Sequence, residues 1–237
     1  MITVMRAQFE RQREQVLAHL SYSNVGKSYT KKDWLDDLND WSASDESFAE
    51  AIKPLIQIML IEAGQQAIQE VGRQPSTFDP FTPALRQYFT DRSLKIATDV
   101  NDETEKQLRA ALSQGVTAGE STYQLRARVE DIFGSASTMR ADRIARTETT
   151  RAQGYADIQA WTQSGVVEGK EWFTAEDERT CRYCASLDHQ TWGLSDVIFS
   201  KGDSLTIDGQ TQHYNYDDVQ APPLHANCRC TLLPVLA

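Results

Sequence analysis

The chain has 237 residues, of which 40% are hydrophobic and 24% charged, a balance that gives a folded protein with a real core and excludes disordered and collagen-like classes. Its formal charge is −10, and the excess is spread evenly, with 13 basic against 18 acidic residues in 1–120 and 11 against 16 in 121–237. A protein that grips duplex DNA by neutralising phosphates needs a basic face, and this balance argues against a strong one.

Met5, Phe9, Val16 and Leu20 fall on one stripe and predict a first helix, followed by a polar break at Ser21–Ser28. Phe48, Ile52, Leu55, Ile56, Met59, Leu60 and Ala63 then step by threes and fours, with Ser42 and Asp45 placed to form a capping box before them. Pro54 lies in the first turns of that run, so the helix either starts later than the cap or is kinked. The run Pro54–Gly64 is about half a membrane span and is broken by Gln57. The N-terminal MITVMRAQFERQ lacks the layout of a signal peptide. The expectation is a protein made in a reducing cytosol, with no membrane partner.

Gly72–Pro83 holds three prolines and reads as a connector. A long helix from about Pro83 to Val116 follows, with Leu85, Phe89, Ile96, Val100, Leu108 and Leu112 inward and Gly119 at its close. Ser121 and Gln124 form a second capping box, opening a helix on Leu125, Val129, Ile132 and Phe133 that Gly134 ends. The next helix spans about Ser137 to Gln163, with Ile144, Ala152, Tyr155, Ile158 and Trp161 on one side. After Gly165 the helical period disappears, and short β-prone pieces take over at Glu171–Ala175, Val197–Ser200, Leu205–Ile207 and Arg229–Val235. About 70 residues of this kind make a thin core that needs a staple. The expected fold is α+β, with a helical N-terminal region (1–80), a second helical part (81–164) and a small zinc-stapled module with short β-strands (165–237).

All four cysteines lie in that last part, as Cys181-Arg-Tyr-Cys184 and His225-Ala-Asn-Cys228-Arg-Cys230. A Cys-x-x-Cys pair from a tight turn and a second pair from a distant segment make a tetrahedral zinc shell. Here His225, Cys228 and Cys230 compete for two places, and 43 residues between Cys184 and Cys228 would be closed into a loop. The competing readings are small buried residues of a β module, or a redox or disulfide pair. Thioredoxin-like chemistry is disfavoured because no parallel βαβ pattern surrounds the Cys-x-x-Cys. A deaminase-type or His-Glu-x-x-His catalytic zinc lacks its motif. Asp177, Glu178 and Asp188 read as solvated turn carboxylates rather than as acid/base groups, and His189 and His213 as surface imidazoles rather than as alternative ligands.

The arginine-rich stretch is Arg126, Arg128, Arg140, Arg143, Arg146 and Arg151, diluted by Glu130, Asp131, Asp142 and Glu148. Asp142 with Arg146 and Glu148 with Arg151 are spaced to pair along a helix. Either this is a solvated helix face, or Arg140, Arg143, Arg146 and Arg151 contact an acidic partner or phosphates. No phosphate loop, no Gly-x-Gly-x-x-Gly and no Gly-x-Ser-x-Gly occurs, and residues 1–120 hold one histidine (His19) and no cysteine, so no catalytic residue is assigned and the chain reads as a non-enzyme.

Three motifs in order carry a resemblance. They are Arg143-Ile-Ala-Arg146-Thr147-Glu148-Thr149 with Gly154; Trp172-Phe173-Thr174-Ala175 running into Asp177-Glu-Arg179-Thr180-Cys181-x-x-Cys184-x-x-Leu187-Asp188; and Pro222-Pro-Leu-His225-x-Asn227-Cys228-Arg229-Cys230. Over roughly residues 85–235 the chain resembles the phage head morphogenesis (Mu F-like) minor head protein family; residues 1–80 carry no such signature. His189 stands where such proteins commonly have Gly. The resemblance implies a virion protein of a tailed phage or prophage, made in the host bacterial cytoplasm. It would be a portal-associated minor head protein needed for head morphogenesis and capsid assembly. Its implied partners are the portal protein, the major capsid or scaffolding protein, and in some cases packaged DNA. The alternatives are an effector or toxin-type enzyme, since such domains occur fused to ADP-ribosyltransferases, and a zinc-module nucleic-acid binder.

Overall fold

The computed structural model describes residues 1–22 and 39–237; the expected polar break lies outside them from residue 23. The fold is α+β as expected: among the described residues, long helices dominate up to Ser164 and short antiparallel strands follow. It divides into two compact units, residues 1–55 with 87–142 and residues 56–86 with 143–237. The boundaries fall inside three helices, α2 (Trp41–Glu70), α3 (Pro83–Thr117) and α5 (Ser135–Ser164).

The first unit holds α1 (Ile2–Tyr22), the leading part of α2, most of α3, α4 (Thr122–Phe133) and the start of α5. The predicted stripe of Met5, Phe9, Val16 and Leu20 is buried, with Phe48, Ile52, Phe89, Ile96, Val100, Leu108, Leu112, Leu125 and Val129 in the same core. A buried polar knot crosses it: Gln8 and Gln12 donate to Ser44 Oγ at 2.7 and 3.1 Å, and Gln12 donates to Asn101 Oδ1 at 2.6 Å. Asn101 in turn donates to Asp45 Oδ1 at 2.6 Å. That use of Asp45 corrects the expected Ser42–Asp45 capping box. Asp40 caps α2, its Oδ1 accepting from Ala43 N at 3.0 Å, and Ser42 lies inside the helix. Helix α2 runs through Pro54 as one element and continues to Glu70, so the unit boundary between Leu55 and Ile56 falls one residue after the proline. Gly119 closes α3 at φ 71, with Glu120 N bonded to Gly115 O and Gly119 N to Val116 O, the Schellman pattern. The Ser121–Gln124 capping box opens α4 as predicted.

The second unit packs Ile56, Leu60, Ala63, Ala67, Ile68, Phe78, Leu85, Ala152, Ala156, Ile158 and Trp161 into its helical core. Ile144 and Tyr155, expected inward, are half-buried. The connector contains a single 3-10 turn, Pro75–Thr77. A three-stranded antiparallel sheet follows in the order β2-β1-β5, with β1 (Val167–Phe173) central, β2 (Thr191–Gly193) and β5 (Thr231–Leu236). Trp172 pairs with Leu232 and Lys170 with Trp192, which places Trp172 fully buried beneath the end of β5. Lys170 is also fully buried, its Nζ donating to Leu194 O at 3.0 Å and Asp196 O at 2.6 Å. A separate hairpin pairs β3 (Ser204–Ile207) with β4 (Gln210–His213) across Asp208 and Gly209, both at positive φ (50 and 74) as a tight hairpin turn requires. The strand expected at Val197–Ser200 is reduced to a bridge between Phe199 and Val219.

Candidate metal centre

The early donor pair sits on one turn. Cys181 is the N-cap of α6 (Arg182–Ala185) at φ −72, ψ 155, and its Sγ accepts the Cys184 backbone N–H at 3.3 Å. The i, i+3 spacing of that turn puts both sulfurs on one side. The late donors sit on a turn closed by Cys228 N to His225 O at 3.1 Å, with Asn227 in the left-handed region at φ 60, a conformation asparagine tolerates better than most residues. Cys230 immediately precedes β5.

The fold brings all five donors together as two triads that share Cys184: Cys181, Cys184 and His225, and Cys184, Cys228 and Cys230, each with its ligand atoms within 4.8 Å of one another. Cys184 Sγ and Cys228 Sγ are 3.8 Å apart. Two thiolates about 2.3 Å from one tetrahedral zinc are separated by about 3.8 Å, so this pair already has the spacing of a ligand edge. His225 Nε2 is 3.1 Å from Cys181 Sγ and 3.4 Å from Cys184 Sγ, against about 3.6 Å for a nitrogen–sulfur edge. His225 Nδ1 lies 2.9 Å from Ala226 O, which can only accept. The proton therefore belongs on Nδ1, and Nε2 presents a lone pair towards the sulfurs, the tautomer that ligates metal.

Electrostatics point the same way. Cys228 is held well below the usual thiol range by hydrogen bonds from Cys184 and Cys230. Cys184 is pushed far up by Cys228. Cys230 is drawn down by Cys184 but raised more by Cys228 and burial, to about 12. The three buried sulfurs thus compete for ionisation, and a cation bound among them would favour the thiolate form of all three. The buried Trp172 Nε1–H has no hydrogen-bond partner within normal geometry and favours the charged form of Cys230, an orphan donor suited to a metal thiolate. The donor set, its spacing and this donor fit a thiolate-bound zinc.

Two further features hold the donor segments. Arg229 makes a bidentate ion pair with Asp177, its Nη1 2.7 Å from Asp177 Oδ2, which joins the loop before Cys181 to the segment between Cys228 and Cys230. That pair holds the Asp177 carboxyl far below its ordinary range. On α5, Thr147 Oγ1 accepts from Asn227 N at 3.2 Å and Thr150 Oγ1 donates to Cys228 O at 3.4 Å. The sequence named Thr147 only within the motif that carries the resemblance and did not name Thr150, and no role at the donor segments was read for either. Their signal was present as spacing, since 147, 150 and 154 share one helical face.

Of the arginines, Arg140 is tied to the first unit, its guanidinium 5.0 Å from the Phe9 ring centroid and Nη2 3.2 Å from Thr104 Oγ1. Arg151 Nε lies 3.7 Å from the buried Glu148. Asp142 pairs with Arg6 at 3.7 Å, where the sequence suggested Arg146. Arg143 and Arg146 are exposed. Elsewhere, Asp188 Oδ1 accepts from Thr174 N at 2.8 Å, and His213 is exposed on β4. His189, at φ 59, lies 2.6 Å from Glu171 and 3.4 Å from Glu176 through its two ring nitrogens. The left-handed backbone there is one that glycine adopts without strain.

No described helix is long and apolar enough to cross a membrane. A family model described as phage Mu protein F like protein matches residues 106–233, just over half of the chain, which includes the α5 threonines and both donor segments. No curated protein and no solved structure matches the chain.

Proposed function

The chain belongs to the phage Mu protein F-like family, and from that premise we propose that it is a minor head protein acting in head morphogenesis at or near the portal vertex, with a structural zinc in its C-terminal part. The observation that carries the reading is the span of the match, which runs from mid-α3 through the whole donor set. Membership makes it a phage head protein that associates with other head components. The portal protein and the major capsid or scaffolding protein are the proposed partners, and contact with packaged DNA is confined to whatever Arg143 and Arg146 reach. Residues 1–80 serve as a helical docking region, 81–164 as the helical part of the head-protein domain, and 165–237 as the metal module.

In that module Cys181 and Cys184, with two of His225, Cys228 and Cys230, hold the ion. A bound zinc would cross-link two segments separated by 43 residues and supply folding free energy rather than chemistry of turnover. The test is co-expression with the portal protein of the same phage, followed by size exclusion at moderate and high salt. Co-elution that survives high salt is expected, together with a folded R143E/R146E variant that fails to enter heads. A lone monomer at both salts overturns the portal assignment, and normal incorporation of the variant removes the arginine pair from the contact.

A further inference from the structure

The late donors lack the local scaffold that organises the early pair. Cys181 and Cys184 are fixed by their own helical turn and its N–H to sulfur bond. The segment that delivers His225 and Cys228 has one backbone bond of its own, from Cys228 N to His225 O, and a left-handed residue between the two donors. It is seated on α5 at three successive points.

The hydroxyl of Thr147 donates to Arg143 O at 2.8 Å, the back-bond common for threonine in a helix, and so turns its lone pairs outward. One of them accepts the N–H of Asn227, the left-handed residue that sets the angle between His225 and Cys228. Three residues further along α5, the hydroxyl of Thr150 reaches the carbonyl of Cys228 itself. Four residues beyond that lies Gly154, where a Cβ would sit 2.6 Å from Ala221 Cβ and 3.1 Å from Pro222 O. The absence of a side chain at 154 is what lets the approach to the donor turn lie against the helix.

Resting on the zinc reading above, we propose that Thr147, Thr150 and Gly154 are positioning residues of the metal centre, and that this face of α5 sets the site's affinity by holding residues 221–228. A partner to a ligand's own peptide group fixes the ligand's direction, and loss of such outer partners typically weakens metal binding by about 10–100-fold.

The experiment uses the full chain, with cobalt(II) as a spectroscopic probe and zinc measured by competition with a chelating dye. T147V/T150V keeps the shape of both side chains and removes both hydroxyls. It is expected to weaken zinc binding by about 10–100-fold and to alter the thiolate-to-cobalt charge-transfer band, with the helical circular dichroism unchanged. T147S/T150S, which restores the hydroxyls, is expected to restore affinity and spectrum. Wild-type affinity and spectrum in T147V/T150V would overturn the positioning role while leaving the zinc reading intact. A wild-type chain that takes up neither zinc nor cobalt would overturn the zinc reading, and the positioning role with it. Should the double variant lose helical signal, T147V and T150V separately read the same difference, and wild-type binding in both overturns the proposal.

Discussion

Asp157 is the most sharply perturbed acid outside the metal centre. It lies on α5 at 3% exposure, with Gln153 Nε2 donating to it at 2.9 Å, and burial, with Glu70 nearby, pushes its carboxyl up to about 7. An unfolded aspartate releases its proton near 4, so between about pH 4 and 7 the unfolded chain is ionised while the folded one keeps the proton. Stability is therefore lost as pH rises through that window, by about 1.4 kcal/mol per unit, and is flat above it. D157N, which keeps an acceptor for Gln153, is expected to be about 2–4 kcal/mol more stable than wild type at pH 8 and level with it near pH 4. Urea midpoints at the two pH values check this, and parallel profiles would show that the carboxylate has compensating partners. At this scale the five metal donors were legible because thiols and imidazoles are scarce and clustered. The roles of the Thr147 and Thr150 hydroxyls were hidden because these residues sit among arginines, whose charge is the louder signal, and because their partners lie about 80 residues away.

Among the elements, local signals were reliable where no distant partner competed for the same residues. The Ser121–Gln124 box closes within four residues, so sequence alone contains both partners. S121A is expected to cost about 0.5–2 kcal/mol, read as a lower urea midpoint with an unchanged slope; no shift would mean that Gln124 and water satisfy the end of α4 unaided. The Ser42–Asp45 expectation failed because a long-range claim outranked it: Asp45 serves Asn101 on α3, and Asp40 caps the helix instead. Strands β3 and β5 showed through their β-branched and aliphatic residues, whereas the first strand, expected at Glu171–Ala175, runs over Val167–Phe173 because its leading Val-Glu-Gly-Lys carries little β-prone character. β2 is three residues long, and β4 reads Gln-Thr-Gln-His, with no apolar face to announce it. The turn that joins β3 to β4 is Asp208–Gly209, and its two positive φ angles show why those residue types stand there.

For the molecule as a whole, the metal is expected to reinforce the small core that residues 165–237 build from Trp172, Leu187, Tyr214, Val219, Leu224 and Leu232. Chelation of the zinc-loaded protein should expose Trp172, which is fully buried, and shift tryptophan emission to the red, while the helical circular dichroism persists. Emission unmoved by chelator would show that the sheet and the Asp177–Arg229 pair suffice without an ion. The α+β class and the position of the donor module were legible because the helical period stops so abruptly after Gly165. The division into units was not, because its boundaries fall within continuous helices where the sequence carries no break.

That division has a consequence for inheritance. The stretches 1–55, 56–86, 87–142 and 143–237 belong alternately to the first and second units. Any single crossover within the gene therefore leaves at least one unit stitched from two parents, with mismatched halves of one core. Variants of this protein are expected to pass between genomes as an undivided block, its first residues travelling with its last.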